Sequence, residues 1–232
     1  MKTRNTHRPR KTTTAKKRKY TIHIPKVIVQ TSKKRPPQSI IDALMSYCKG
    51  WKYEHYTDKQ ITKFFHDNYI HEFKDIHTKI KNMSSGAHKA DVFRYYYLYV
   101  NGGVYIDTDA MLERDIDTIV KDNSFFSVNS ITPKTIFQGL LGAVPKNLII
   151  YRALQDAYTI HPAKLKSYYH VLTRNLYTII KDNKYDFKYT LYQERLDTPK
   201  SAISYDGNDK ILTHYFGDKE YSNWDMLNTN IQ

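Results

Sequence analysis

A chain of 232 residues with 40% hydrophobic and 14% aromatic content has the size and apolar share of one folded domain, which excludes wholesale disorder. Of its formal charge of +14, nine charges come from Lys and Arg within residues 1–19, which hold no acid, so the remainder carries only +5 and is no broad nucleic-acid-binding surface. The single cysteine, Cys48, excludes an internal disulfide, and no apolar run reaches the roughly 18–20 residues of a membrane span.

Residues 1–19 read as a basic disordered tail suited to contacting anionic surfaces, because blocks of like charge fold poorly alone. With no apolar segment of the signal-peptide kind near the start, the expectation is a cytoplasmic or otherwise soluble protein. The glycine-poor, lysine- and tyrosine-rich composition is compatible with a viral or bacterial source. The folded domain is expected over 20–232. Its first strand falls in IHIPKVIVQT, residues 22–31, where Val27-Ile28-Val29 is a β-branched run. Pro37 to Lys49 predicts a helix with Ile40, Ile41, Leu44 and Met45 near helical spacing and Gly50 as its stop. Trp51 to Tyr56 alternates as a second strand, Thr57 or Asp58 caps a helix that turns Ile61, Phe64 and Phe65 inward, and His71 to Lys81 predicts a further helix. His55, His66, His71 and His77 lack metal-ligand spacing and read as surface or half-buried side chains. Alternating strand and helix argues for a parallel α/β sheet with right-handed crossovers.

Ser84 to Leu112 reads SSGAHKADVFRYYYLYVNGGVYIDTDAML and organises the rest. A helix carries Asp91 and Arg94 three residues apart on one face, and Asn101-Gly102-Gly103 stops it, with Gly102 as the left-handed residue. Val104-Tyr105-Ile106 then forms a short strand that delivers Asp107-Thr108-Asp109 to its C-terminal end, where α/β folds bind ligands. Two carboxylates held so close repel unless a cation lies between them, and oxygen ligands suit Mg²⁺ or Mn²⁺.

Beyond it, Ala110 to Leu112 and Ser124 to Asn129 predict strands, and Ile136 to Val144 places Gln138-Gly139 before an apolar run. Asn147 to Ile160 and Leu165 to Asp182 predict two helices parted by His161-Pro162. The tyrosines read as packed core with hydroxyls reaching outward rather than as a base-stacking surface. Tyr185 to Pro199 is ribbon-like, Ser201 to Tyr205 is a strand, Asp206-Gly207-Asn208 a turn, and Ile211 to Phe216 a final strand.

The string Ala90-Asp91, Arg94-Tyr95, Leu98-Tyr99, Gly102-Gly103, Tyr105, Asp107 and Asp109 closely resembles the D-x-D sugar-binding region of glycosyltransferase family 32. It is also similar to the matching segment of the large clostridial glucosylating toxins. The resemblance implies a single-domain α/β chain of GT-A fold, a Rossmann-like mixed sheet flanked by helices. It further implies a metal-dependent, retaining transfer of a hexose from a nucleotide-diphosphate sugar to a glycan or glycoprotein acceptor, with Mn²⁺ or Mg²⁺ as cofactor and a UDP-sugar favoured over GDP-mannose. Carried onto this chain, the catalytic residues are Asp91, Arg94, Asp107 and Asp109. Gln30 and Thr31, after a family-like Ile24-Pro25-Lys26, border the nucleotide base, although Ser32 stands where many members have tryptophan. Tyr105, Thr108 and Gln138 face the donor, and Ser222 with Trp224 close over the diphosphate in the toxin-like S-x-W form. Asp107, Asp109 and His214 are the candidate metal ligands. The competing readings are a nucleic-acid-associated protein with a degenerate transferase domain and a nucleotide-sugar hydrolase.

Overall fold

A computed structural model describes residues 23–216; the basic tail and the expected Ser222 and Trp224 contacts lie outside this range. Nine strands form one mixed sheet: β1 (Val27–Thr31), β2 (Lys52–Tyr56), β3 (Gly103–Ile106), β4 (Ala110–Leu112), β5 (Phe125–Asn129), β6 (Ile136–Ala143), β7 (Tyr189–Thr198), β8 (Ser201–Asp206) and β9 (Asp209–Tyr215). Their order is β2-β1-β3-β6-β5-β7-β8-β9-β4. The parallel expectation holds for β2-β1-β3 and again for β5 with β7, while the other neighbours are antiparallel.

This order forces the sheet to curl. β3 and β4 are six neighbours apart, about 29 Å if the sheet were flat, yet the Asp107–Asp109 link between them spans at most ~14 Å. The sheet therefore bends round until its last strand returns beside β3, and residues from β6, β7 and β9 come to face the D-x-D link.

The helices are α1 (Gln38–Ser46), α2 (Asp58–Asp67), α3 (Ile76–Lys81), α4 (Gly86–Asn101), α5 (Ile116–Val120), α6 (Leu148–Thr159), α7 (Pro162–Ser167) and α8 (Val171–Lys181). Two cores flank the sheet. One joins α2, α3, α4, α6 and α8, with Phe64, Phe65, Phe93, Tyr96 and Tyr97 in edge and stacked contacts. The other packs Leu44, Cys48, Trp51, Ile116 and Ile119 on the opposite face. The tyrosine-rich α4 is buried on every side rather than along one stripe: Tyr95, Tyr96 and Tyr97 are all 1% exposed.

Three predicted helices differ in extent. The first ends at Ser46 rather than Lys49. His71 to Lys81 divides into a 3₁₀ turn at His71–Phe73 and α3. The predicted Leu165–Asp182 helix breaks at Tyr168, whose backbone is extended (φ −142°, ψ 106°), and restarts after His170. The Tyr169 carbonyl, which a continuous helix would use internally, instead accepts from Nε2 of the buried His88 on α4 at 2.9 Å. At the end of α4, Gly102 has φ +67° as expected, but crowding limits it as well: a Cβ there would stand 2.6 Å from Pro145 Cδ and 2.8 Å from Pro25 Cδ.

Candidate active site

The curl encloses a cavity of about 420 Å³. α4 supplies Asp91 and Arg94 to its floor, the β3–β4 link supplies Asp107, Thr108 and Asp109, and β6 supplies Gln138. Backbone hydrogen bonds fix the link: Asp107 N–H donates to Gly139 O (3.0 Å), Ala110 N–H to Asp107 O (3.2 Å) and Tyr215 N–H to Asp109 O (2.9 Å). The motif's rigidity therefore derives from β6 and β9, which are remote in sequence.

Arg94 is the hub. Its side chain is 5% exposed, and its Nη2 lies 3.4 Å from Asp91 Oδ1 and 3.2 Å from Asp107 Oδ1. Nε donates to Ala90 O at 3.3 Å, Nη1 donates to Gln138 O, and the guanidinium stands 4.1 Å over the Tyr105 ring. Tyr105 in turn shares a 2.9 Å hydrogen bond with Thr31 Oγ1. Asp91 and Arg94 are thus a buried pair coupled to the D-x-D, not a surface helical pair. Burial raises the Asp91 carboxyl to about 6, with Arg94 opposing the rise and Asp107 adding to it.

On the other side of the link, Asp109 faces β9. His214 Nε2 lies 3.8 Å from Asp109 Oδ2, and Nδ1 lies 3.6 Å from Oε1 of Glu194 on β7. Burial alone would lower the imidazole, but the Asp109 and Glu194 carboxylates raise it to about 9.

Of the residues expected to touch the donor, Thr31, Asp91, Arg94, Tyr105, Asp107, Thr108, Asp109, Gln138 and His214 all line this one cavity. Gln30 is the correction. It is 3% exposed, donates from Nε2 to Asp107 O (3.1 Å) and accepts from Tyr53 Oη (2.9 Å). Successive residues of a strand face opposite ways, so Thr31 meets the cavity and Gln30 braces the D-x-D backbone beneath it. Ser32 is taken by His55, 2.8 Å from its Nε2. The reading missed Glu194, the Ser130–Thr135 turn and Tyr169-His170, which also line the cavity. No periodicity marks Glu194, because Gln193-Glu194-Arg195 are polar in succession and only Glu194 of the three is buried.

Gln138 has both amide atoms buried without a hydrogen-bond partner, as is the Tyr95 hydroxyl. These atoms sit against each other, with Gln138 acting on the Tyr95 hydroxyl, and of the two residues only Gln138 lines the cavity. Charge makes a second point. Among the described lining residues four acids (Asp91, Asp107, Asp109, Glu194) face Arg94 and His214 as their close basic partners. The cavity therefore suits a divalent cation and repels a bare diphosphate. Among the described residues no three His, Cys, Asp or Glu side chains are grouped so as to hold a metal ion by themselves. Among these residues, too, no helix is long and apolar enough to cross a membrane.

Residues 36–126 match the family model of the glycosyltransferase sugar-binding region containing a DXD motif. The chain is 29% identical over 107 residues to inositol phosphoceramide mannosyltransferase 1 of Schizosaccharomyces pombe, covering 46% of this chain and 32% of that one. It is 31% identical over 141 residues to a mannosyl phosphorylinositol ceramide synthase of Saccharomyces cerevisiae, covering 57% and 34%. An uncharacterized glycosyltransferase of Acanthamoeba polyphaga mimivirus is 28% identical over 95 residues, covering 41% and 36%. The matches thus span about a third of the length of these curated relatives. Among solved structures, the PaToxG glycosyltransferase aligns at 15% identity with a TM-score of 0.47, covering 67% of this chain and 68% of that one.

Proposed function

We propose that this chain, which carries a glycosyltransferase sugar-binding region over residues 36–126, is a divalent-metal-dependent, retaining hexosyltransferase using a nucleotide-diphosphate sugar. The observation that carries the reading is the excess of carboxylates in the cavity, organised by Arg94 on one side of the D-x-D and His214 on the other. A diphosphate enters such a site only with a cation. Asp109 and His214, assisted by Asp107, would hold Mn²⁺ or Mg²⁺, which supplies Lewis-acid stabilisation of the charge on the departing diphosphate.

The chain's own residues do the positioning. Arg94 bridges Asp91 and Asp107, and Asp91 accepts from a hydroxyl of the donor hexose. Gln138 on β6 lines the same cavity and would border another hydroxyl of that ring. Thr31, which lines the cavity above the buried Gln30, would border the nucleotide. Two or more fixed contacts to the ring hold the anomeric carbon in one pose, which is where orientation lowers the barrier. Retention is supported by the motif's likeness to retaining enzymes.

The donor is a mannosyl nucleotide on this reading, because two curated relatives are named for mannosyl transfer. A UDP-hexose is the second reading, supported by the toxin-like motif, and the acceptor is a glycan or another glycosylated molecule. A thermal-shift panel of GDP-mannose, UDP-glucose, UDP-galactose and UDP-N-acetylglucosamine, each with and without Mn²⁺, tests this. Binding to the folded state raises Tm by mass action, so GDP-mannose with Mn²⁺ should give the largest rise. A flat response to every sugar in Mn²⁺ would remove the donor site altogether.

A further inference from the structure

Glu194 is a buried carboxylate in the cavity wall that the proposed reaction does not use directly. Its side chain is 2% exposed. Oε2 accepts from Ser130 Oγ (2.9 Å) and from the Ile131 N–H (3.0 Å), which together fix the carboxylate plane. Oε1 points the other way, 3.6 Å from His214 Nδ1, and both atoms are buried without a hydrogen-bond partner. The imidazole plane is fixed as well, with Phe137 stacked on it at 4.5 Å and 29° and Phe216 meeting it edge-on at 5.0 Å. The ring can therefore present only Nδ1 to Glu194 and only Nε2 to Asp109, 3.8 Å away.

We infer that Glu194 is a positioning residue: it holds the Nδ1 proton of His214 so that the Nε2 lone pair stands beside Asp109 to receive a divalent cation. The distances fit. Two donors that each lie about 2.1 Å from one ion stand ~3.0 Å apart at right angles and up to ~4.2 Å apart in line. A gap of 3.8 Å between Nε2 and Asp109 Oδ2 falls in that span, and the 3.6 Å from Nδ1 to Glu194 Oε1 is an ion-pair separation that a small side-chain shift closes to a hydrogen bond. Carboxylates that bind the far nitrogen of a ligating histidine set its tautomer and orientation. Glu194 Oε1 is too buried to reach a substrate, so any effect it has passes through His214. The inference rests on the cation-dependent reading of the site and adds a residue to it.

Glu194→Gln keeps the volume but leaves one acceptor oxygen where the carboxylate has two. With that oxygen held by the fixed Ile131 N–H, the amide NH₂ faces Nδ1 and favours the ring tautomer whose Nε2 carries the proton. The test is titration of the full chain with Mn²⁺ alone, the free ion being counted by electron paramagnetic resonance. Expected are a loss of Mn²⁺ affinity of about 10- to 100-fold for Glu194→Gln, a comparable loss for His214→Ala, and a double variant no weaker than His214→Ala. Wild-type affinity in Glu194→Gln, or losses that multiply in the double variant, overturns the inference while leaving the cation site standing. Wild-type affinity in His214→Ala overturns the inference too, and with it the His214 ligand of the proposed site. Melting curves check that each variant folds. Should Glu194→Gln not fold, Ser130→Ala loosens one anchor of Oε2 and should lower Mn²⁺ affinity in the same direction, and an unchanged affinity there is equally fatal.

Discussion

Arg94 shows how much a side chain's meaning depends on burial. On a helix surface, an Asp–Arg pair three residues apart adds about 0.3–0.5 kcal/mol and its loss is silent. Here the guanidinium is 5% exposed and lies against two carboxylates, and removing one partner of such a buried arrangement costs about 3–5 kcal/mol. Arg94→Ala should therefore unfold at markedly lower denaturant concentration as well as lose transfer, which chemical denaturation monitored by circular dichroism would measure. Asp91 gives a pH signature. Its folded value, about 6, lies above the ordinary carboxylate value of roughly 3.9. The folded state then binds this proton more tightly than the unfolded chain, so the group's contribution to stability is fullest below pH ~4, falls as pH rises towards ~6, and does not return above it. Asp91→Asn should flatten the slope of Tm against pH across that window. The sequence motif named Asp91, Arg94, Asp107 and Asp109 correctly as neighbours, because their spacing places them at one helix face and one strand end. It assigned Gln30 to the ligand and overlooked Glu194 for one reason: which side of a strand faces a cavity depends on partners far away in the chain, here Tyr53 and the Ser130–Ile131 turn.

At the scale of elements, the site depends on how closely β6 approaches the D-x-D link. Gly139 makes that approach possible, since a Cβ there would stand 2.2 Å from Phe137 Cζ and 2.7 Å from Asp107 Oδ2. Phe137 is the ring that stacks on His214, so a methyl group would displace both arms of the site together. Gly139→Ala should cost about 1–3 kcal/mol by overpacking and weaken Mn²⁺ binding by more than that change in stability implies, read by parallel melting and metal titrations. The break between α7 and α8 is the other element-level departure. The apolar stripe from Leu165 to Ile180 reads as continuous because periodicity cannot register a hydrogen bond from His88 to the Tyr169 carbonyl. The break brings Tyr169 and His170 to the cavity rim.

For the whole molecule, the curl of the sheet is what turns a linear motif into a chamber. The alternating elements announce an α/β fold, and the three-residue Asp107–Asp109 link between two strands is visible in the sequence. Strand order is not, because β4 pairs with β9, a hundred residues later. Once the order is known, the short link dictates the curl, and the curl brings the imidazole of β9 to Asp109 with the Glu194 carboxylate of β7 behind it. A chamber with that charge should bind a donor diphosphate only as its metal complex. The most direct test is calorimetric titration of GDP-mannose and of the UDP-hexoses into the wild-type chain and Asp109→Asn, in Mn²⁺ and in excess EDTA. Expected is a donor that binds the wild type in Mn²⁺, binds at least about tenfold more weakly in EDTA, and loses affinity in Asp109→Asn to a similar degree. Donor binding of equal strength in Mn²⁺ and in EDTA, undisturbed by Asp109→Asn, would contradict a cation-built donor site.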